Sequence, residues 1–280
     1  MSRAEHHISR SIAKSMTGIE WTDFTGNPWR GCTRIVANSR GRSGCDICYA
    51  ATFVENRLGG IWGAGAPRVQ GVGFRGRMLR LNRLAAETCL PFSVFSLSLG
   101  DYLDAEIPVD WRAAFIETVE ECRNLTWLLL THRPHLASKF LPAAWRTAPP
   151  VNVWPGVTVD HPAHGYRWGI HRAFWGHTGR AWVSAEPLAA SLDSVDLTDA
   201  VVTIYGGASG TADQTWEFRP EWVREAVDRY GPSKVFFKQF GDFRDGVRVG
   251  KKAAGRDLDG LIYDHTPWPR HRALIRKIAG

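Results

Sequence analysis

Residues 127–134 read Trp-Leu-Leu-Leu-Thr-His-Arg-Pro, a run of apolar residues followed by polar residues and a proline. The same pattern recurs along the chain, as apolar, strand-forming runs that end in small or polar residues. These runs lie at residues 18–22, 92–98, 127–130, 151–159, 181–184, 201–205 and 234–237. Strands that are apolar along most of their length are typical of a parallel sheet covered on both faces. The pattern therefore predicts an α/β fold.

Helical segments separate several of these runs. Residues 108–124 carry apolar residues at helical spacing, and residues 48–58 follow a cluster of cysteines. Residues 219–230 have Pro220 near their start and Gly231 just past their end, and these residue types are expected at the start and the end of a helix. Alternating strands and helices favour a parallel barrel or a doubly wound sheet. In both architectures the polar residues at the carboxyl ends of the strands are the first candidates for a functional site.

Composition narrows the class of protein. The chain has 280 residues, 44% of them hydrophobic and 22% charged, which suffices for one large α/β domain or two small ones. No apolar run approaches the roughly 18 residues that span a bilayer, and residues 1–14 contain no apolar signal-peptide core. We therefore expect a cytoplasmic protein without a membrane partner. The net charge of +7 favours a polyanionic partner, with nucleic acid first.

Three cysteines carry the clearest chemical signal. Cys45 and Cys48 form a C-x-x-C pair, and Cys32 lies across a loop rich in arginine, glycine and serine. Three converging thiolates without a fourth predict a metal site with one open position. Two alternatives stay open: a metal-free trio, and a zinc site completed by a histidine. The candidate histidines are His132, His135, His161 and His164.

The remaining cysteines and one arginine-rich segment have less specific patterns. Cys89 and Cys122 are interpreted as buried core residues, since free cysteine is usually a small hydrophobe. The segment at residues 62–83 is interpreted as an arm that contains several arginines and no acid. The arginines are Arg68, Arg75, Arg77, Arg80 and Arg83. Residues 74–81 are interpreted as an extended hairpin arm or an edge strand. Its charges would either protect a sheet edge or contact phosphates.

Motifs spread along the chain resemble those of a known family. They lie at residues 18–23, 27–28, 31–32, 44–50, 130–134, 152–159, 184–188, 206–210 and 236–241. Together they resemble a three-cysteine-motif family of phage and bacterial proteins. The arrangement is in turn similar to the radical S-adenosylmethionine (SAM) superfamily, nearest to its spore photoproduct lyase-like members.

The resemblance implies a partial parallel (β/α) barrel of about six to seven strands, similar to a TIM barrel. On this interpretation residues 1–17 form an N-terminal tail. Residues 18–245 form the barrel, with its cysteine loop and the arm at 62–83, and residues 246–280 form a C-terminal extension.

The resemblance also implies cofactors. Cys32, Cys45 and Cys48 would hold a [4Fe-4S] cluster whose fourth iron takes SAM, and an external reductant would supply the electron. The common superfamily pattern has three residues between the first two cysteines, whereas residues 33–44 intervene here.

Cofactor contacts follow from the same resemblance. Ile47 would pack beside the adenine, and Ser98 with Asp101 would meet the amino group of SAM. Arg133 would grip its carboxylate or a phosphate. Thr158 and Asp160 would contact the ribose.

The candidate catalytic or substrate-binding residues are Glu186, Lys238 and Gln239. Each of them ends an apolar strand, as Arg133 does, so we expect these four side chains to share one pocket. Glu186 could instead simply pair with Lys238 or Arg133.

Two functional hypotheses follow from these observations. The first is an iron–sulfur enzyme of the radical-SAM type that generates a 5′-deoxyadenosyl radical and modifies a nucleic acid, nucleoside or related substrate. The second is a non-catalytic nucleic-acid-binding protein with a structural zinc or iron–sulfur site.

Overall fold

The computed structural model describes residue 8 and residues 10–35, 42–210 and 215–279. Within these residues, seven parallel strands form one sheet, curled into a half-barrel, in the order β1-β4-β5-β6-β7-β8-β9. Its strands are β1 (Phe24–Gly26), β4 (Ser93–Ser96), β5 (Thr126–Thr131), β6 (Val153–Thr158), β7 (Trp182–Ala185), β8 (Thr203–Gly206) and β9 (Val235–Gln239). Two antiparallel pairs flank the sheet: β2 (Trp29–Arg30) with β3 (Val69–Gln70), and β10 (Phe243–Arg244) with β11 (Val247–Arg248). The predicted partial parallel (β/α) barrel is confirmed.

Helices follow several of the strands, as expected for right-handed parallel connections. They are α1 (Arg10–Lys14), α2 (Tyr49–Leu58), α3 (Phe74–Thr88), α4 (Val109–Glu121), α5 (Ala137–Phe140), α6 (Tyr166–Trp175), α7 (Glu221–Tyr230), α8 (Lys251–Ala254) and α9 (Arg272–Ala279). The helices predicted at 48–58, 108–124 and 219–230 are thereby confirmed, each within a few residues. No helix of the described ranges is long and apolar enough to cross a membrane.

Alternate residues of each strand pack into two separate cores. Leu129, Val157 and Val183 belong to the outer core beneath the helices. Leu128, Trp182 and Phe236 face the inside of the half-barrel and form a second core. Strand side chains alternate between faces, so this division assigns every neighbouring residue to the inside or the outside. The carboxyl ends of the strands carry the polar residues on both faces.

The first strand differs from its prediction. Residues 18–22 are not a strand, and β1 begins at Phe24. The apolar residue Trp21 instead lies in the inner core, with its ring 4.7 Å from Phe95 and 5.4 Å from Trp182. The apolar pattern of this segment comes from closing one end of the half-barrel. A buried segment that closes the barrel and a short buried strand have the same apolar composition, so composition alone did not distinguish them.

The C-terminal segment completes this closure. The indole of Trp268 donates a hydrogen bond to the Trp21 carbonyl at 2.8 Å, and its ring lies 5.4 Å from that of Trp182. The buried guanidinium of Arg272 donates to the carbonyls of residues 17, 19 and 22 at 2.6–2.9 Å. The described part of the predicted C-terminal extension therefore packs against the base of the barrel.

The arginine-rich arm is the main error of the fold prediction. Residues 74–81 belong to helix α3, not to a hairpin or an edge strand. Met78, Leu81, Leu84 and Ala85 are buried at helical spacing on one face of α3, and the arginines between them obscured that pattern. Cys89, at the end of this helix, is exposed, so its predicted burial is also wrong.

Cys122 shows the opposite outcome. It is fully buried in the outer core directly after α4, which confirms its interpretation as a core residue.

Candidate functional site

Cys32, Cys45 and Cys48 line one cavity beside the carboxyl ends of the first strands. Cys32 follows β2, whose end is fixed by a bridge between Gly31 and Gly100, and Cys48 precedes the first turn of α2. The cavity contains about 660 Å³ of empty space, a figure that includes the solvent at its open mouth. Phe95 and Leu130, on the inner face of β4 and β5, form part of its apolar wall.

Burial dominates the ionisation of these thiols. It raises the pKa of Cys32 well above the ordinary value, raises the pKa of Cys45 to about 11, and also raises the pKa of Cys48. Such thiols stay protonated at neutral pH unless a cation compensates the loss of hydration. A bound metal does this, because its positive charge replaces the protons. The donor set therefore fits a cationic metal group.

The described residues do not form a ready-made site for a single metal ion. Among the described residues, no group of three His, Cys, Asp or Glu side chains converges closely enough to hold one metal ion. In a cubane cluster each thiolate binds a different iron, so its thiolates stand farther apart than the ligands of one ion.

Arg133 and Asp101 meet at Cys32. Arg133 donates from Nη1 to Asp101 Oδ2 at 2.7 Å and lies 3.5 Å from the Cys32 sulfur, while its Nη2 donates to the Thr33 carbonyl. The Asp101 carboxylate also accepts from the Thr131 hydroxyl at 2.7 Å and from two backbone N–H groups. Both side chains line the cavity, and both are already engaged by protein groups.

A second buried carboxylate, Asp104, holds the residue after Cys32. The backbone N–H and hydroxyl of Thr33 donate to its two oxygens at 3.0 and 2.9 Å. Arg68 forms an ion pair with the same carboxylate at 2.8 Å, and its side chain is only 3% exposed. Arg68 is therefore a structural residue, which corrects its assignment to a phosphate-contacting surface. Sequence reasoning missed Asp104; the only signal was a second acid close to Asp101.

Asp160 holds the other half of the cysteine loop. It accepts from the Ser43 hydroxyl at 3.0 Å and from the Gly44 N–H at 2.6 Å. Nδ1 of His164 lies 2.6 Å from Oδ1, and Arg167 Nη1 donates to that oxygen at 3.2 Å. Burial alone would raise the pKa of Asp160, but these hydrogen bonds and charges hold it well below its usual range. Asp160 does not line the cavity, so its geometry supports a positioning role instead of the predicted ribose contact.

Of the other residues predicted to contact a cofactor, one lines the cavity and two do not. Ser98 lines the cavity, and its hydroxyl accepts from the Asn27 amide at 3.1 Å. Ile47 is half-buried and does not belong to the cavity wall. Thr158 is buried on the inner face of β6, also outside this cavity.

The candidate zinc ligands are scattered. Of the four histidines, His132 lines the cavity, and burial lowers its pKa to about 4, so its ring is neutral at physiological pH. His164 is bound to Asp160, His161 accepts from the backbone N–H of Ala163, and His135 is exposed.

The expected shared pocket of four strand-end residues is not formed as predicted. Glu186 and Lys238 form an ion pair, with Oε1 and Nζ 2.7 Å apart. Arg133 lies on the cysteine cavity, which neither of these two residues lines. Gln239 follows Lys238 on β9 and therefore faces the opposite side, where its amide donates to the Gly207 carbonyl at 3.3 Å. Gln239 is thus a structural residue, which corrects its candidacy as a catalytic one.

The remaining arginines of the basic segment have different surroundings. Arg75 pairs with Glu121 at 2.6 Å, and Arg77 donates to the Thr25 carbonyl at 3.1 Å. Arg80 and Arg83 are exposed on α3.

Comparison with known proteins gives one match. No curated protein and no solved structure matches the chain. A family profile described as a protein of unknown function, DUF5131, matches residues 16–267. That span includes the half-barrel, all three clustered cysteines and the carboxylates that hold their loops. The chain therefore belongs to the DUF5131 family.

Proposed function

We propose that this protein is an iron–sulfur enzyme of the radical-SAM type, with Cys32, Cys45 and Cys48 as the ligands of a [4Fe-4S] cluster. The observation that carries the proposal is the placement of three half-buried cysteines on one cavity at the carboxyl ends of a parallel half-barrel. When bound, the cluster with SAM supplies one-electron reductive cleavage, for which an external reductant provides the electron. A cytoplasmic location would keep the thiols reduced.

The chain's own residues prepare this cavity in two ways. The Arg133 guanidinium lowers the pKa of Cys32 against the larger effect of burial, and so favours the thiolate that a metal requires. Three buried aspartates, Asp101, Asp104 and Asp160, fix the two cysteine segments through their hydrogen bonds. Holding the thiols in place before a metal arrives reduces the ordering cost of binding it.

A structural zinc site in a nucleic-acid-binding protein is the second candidate function. The neutral ring of His132 lies on the same cavity wall as the cysteines and would be the fourth ligand, because zinc takes a histidine as readily as a thiolate. Among the described residues these side chains would have to move closer together to hold one ion. Metal analysis distinguishes the two candidates.

The decisive experiment is anaerobic purification followed by iron, sulfide and zinc analysis. We expect a brown protein with about four irons and about four sulfides per chain. Cys45→Ala should lose the colour, whereas Cys89→Ala, at an exposed cysteine outside the cavity, should keep it. Stoichiometric zinc without acid-labile sulfide would contradict the proposal and support the second candidate.

Catalytic competence needs a separate measurement. Protein reduced with dithionite should convert SAM to 5′-deoxyadenosine and methionine, measured by liquid chromatography. An intact cluster that cleaves no SAM, with candidate substrates present, would favour a structural role for the cluster.

We propose a nucleic acid, nucleoside or related molecule as the substrate, supported by the net charge of +7 and by the exposed Arg80 and Arg83. Changing both arginines to glutamine should flatten the slope of log affinity against log salt by about 1.5, at about 0.7–0.9 per phosphate contact. Arg75→Gln is the control, because Arg75 already pairs with Glu121. An unchanged slope in the double variant would show that α3 does not touch phosphate.

A further inference from the structure

A row of polar side chains lies on the inner face of the half-barrel, beyond the cysteine cavity. Thr158 on β6 and Ser184 on β7 are register partners, so they face the same side of the sheet. Ile204 and Phe236 continue this row, and both belong to the inner core. Glu186 and Lys238 follow two positions beyond Ser184 and Phe236, toward the carboxyl ends. We call Thr158, Ser184, Glu186 and Lys238 the polar shelf.

Gly206 on β8 is what allows the shelf to form. A Cβ at this position would lie 2.8 Å from Glu186 Oε1, so any other residue would displace the carboxylate. Because the space above β8 is empty, Glu186 reaches across this strand to Lys238, 2.7 Å away.

The shelf retains unused hydrogen-bonding capacity. The Thr158 hydroxyl is buried, at 1% exposure, and has no partner among the described residues. Ser184 makes only a long bond of 3.4 Å to Glu186 Oε2. Buried polar groups normally have a partner, so the free hydroxyl requires an explanation. The pair itself is reachable, since the side chains of Glu186 and Lys238 are 12% and 24% exposed.

Tyr49 connects the shelf to the cysteine cavity. Both Tyr49 and Ser98 line the cavity. Tyr49 also lies near enough to Lys238 for that ammonium to lower its pKa, against the larger raising effect of partial burial. Tyr49 is 60% exposed, so its ring is available to a ligand at the junction.

We infer that the polar shelf binds the lactam edge of a nucleobase, with Glu186 accepting from the ring N–H and Lys238 donating to the neighbouring carbonyl oxygen. A lactam presents these two atoms side by side, about 2.2 Å apart from standard bond lengths and angles. The acceptor and the donor of the shelf lie side by side at 2.7 Å, which suits two parallel hydrogen bonds. Carboxylate and ammonium groups are established partners for base N–H donors and for guanine O6.

Substrate selectivity follows from this chemistry. Guanine, uracil and thymine present an N–H beside a carbonyl, whereas adenine and cytosine present a different pattern of donors and acceptors at neutral pH. The exposed ring of Tyr49 offers a face for stacking, as aromatic side chains do for bases held outside a duplex. The inference rests on the proposed nucleic-acid or nucleoside substrate and names the bases that it would contain.

The test is direct nucleoside binding, measured by calorimetry on protein without SAM. Guanosine and uridine should bind at least tenfold more tightly than adenosine and cytidine. Lys238→Met and Glu186→Gln should each weaken guanosine binding at least tenfold. Asp199→Asn, which removes an exposed ion pair of the same 2.7 Å length on α6, should leave it unchanged.

Thr158→Val and Gly206→Ala separate binding from folding. Thr158→Val keeps the shape of the side chain and should weaken guanosine binding about threefold or more if the hydroxyl serves the ligand. Gly206→Ala displaces the carboxylate without removing it, and should weaken guanosine binding in protein whose melting temperature is close to that of the wild type.

Equal affinity for all four nucleosides, no binding at millimolar concentration, or guanosine binding that survives Glu186→Gln would each overturn the inference. Iron content and SAM cleavage do not enter this measurement. A protein with an intact cluster that cleaves SAM and ignores nucleosides would refute the shelf alone.

Discussion

Asp160→Asn offers the sharpest test of how the cysteine loop is held. The change keeps the shape of the side chain but removes the charge that faces Gly44, Ser43, His164 and Arg167. Breaking a buried ion pair by removing one partner costs about 3–5 kcal/mol, because the other charge stays buried. Arg167 keeps a bond to the Thr158 carbonyl at 3.3 Å, so we expect the lower end of that range. The free energy of unfolding should therefore fall by about 3 kcal/mol.

Two assays separate this local effect from general destabilisation. Urea unfolding, followed by tryptophan fluorescence, gives the loss of stability. Alkylation of the native protein, followed by mass spectrometry, gives the reactivity of each cysteine. In Asp160→Asn the reactivity of Cys45 and Cys48 should rise relative to that of Cys32.

Asp104→Asn is the matched variant, because it acts on the segment after Cys32 through Thr33. It should raise the reactivity of Cys32 relative to Cys45 and Cys48. If both variants raised all three reactivities by the same factor, the two carboxylates would not hold separate segments, and the reasoning would be refuted.

Three further changes test the fold. Gly156→Ala should lower the free energy of unfolding in urea by about 1–3 kcal/mol, because the added Cβ would lie 2.3 Å from the Trp182 ring. Gly169→Ala is the control, because Gly169 lies on helix α6 with open space around it and the change should not destabilise the protein. Burial lowers the pKa of His171 to about 4, so its neutral ring is favoured in the folded state. The stability that this gives is fully present above pH 6.5 and is lost as the pH falls toward 4. Between pH 7 and pH 5 the wild type should lose about 2 kcal/mol from this group, and His171→Gln should remove that share of the pH dependence. Cys89→Gly should raise the free energy of unfolding by up to about 1 kcal/mol, and with it the melting temperature, because Cys89 has a φ of 56° that glycine adopts without strain. A lower melting temperature would count against this view.

The sequence predicted six of the seven strands of the sheet and three of the helices between them, but not the first strand or helix α3. Continuous apolar runs predicted the parallel sheet because strands covered on both faces have no polar alternation. The same reasoning failed for Trp21, whose burial comes from plugging the barrel and not from strand pairing. It failed for α3 because four arginines lie among the four buried residues of that helix, so charge masked the helical period.

The candidate site was likewise predicted only in part. The convergence of the cysteines was predictable from their spacing and from their position near strand ends. The grouping of Lys238 with Gln239 was avoidable, since adjacent residues of a strand face opposite sides. Asp104 could not be identified, because its importance depends on a contact with Thr33 that sequence distance conceals.

The positions of the three anchoring carboxylates have a mechanical consequence. Asp101 and Asp104 follow β4, whereas Asp160 follows β6, and one strand lies between these two. The anchors of the two cysteine segments therefore lie two strand spacings apart, about 9–10 Å, and their relative position depends on the curvature of the sheet there. Flattening the sheet would pull the thiols apart, and bending it would bring them together. The curvature of the sheet thus sets how close the two cysteine segments lie to each other.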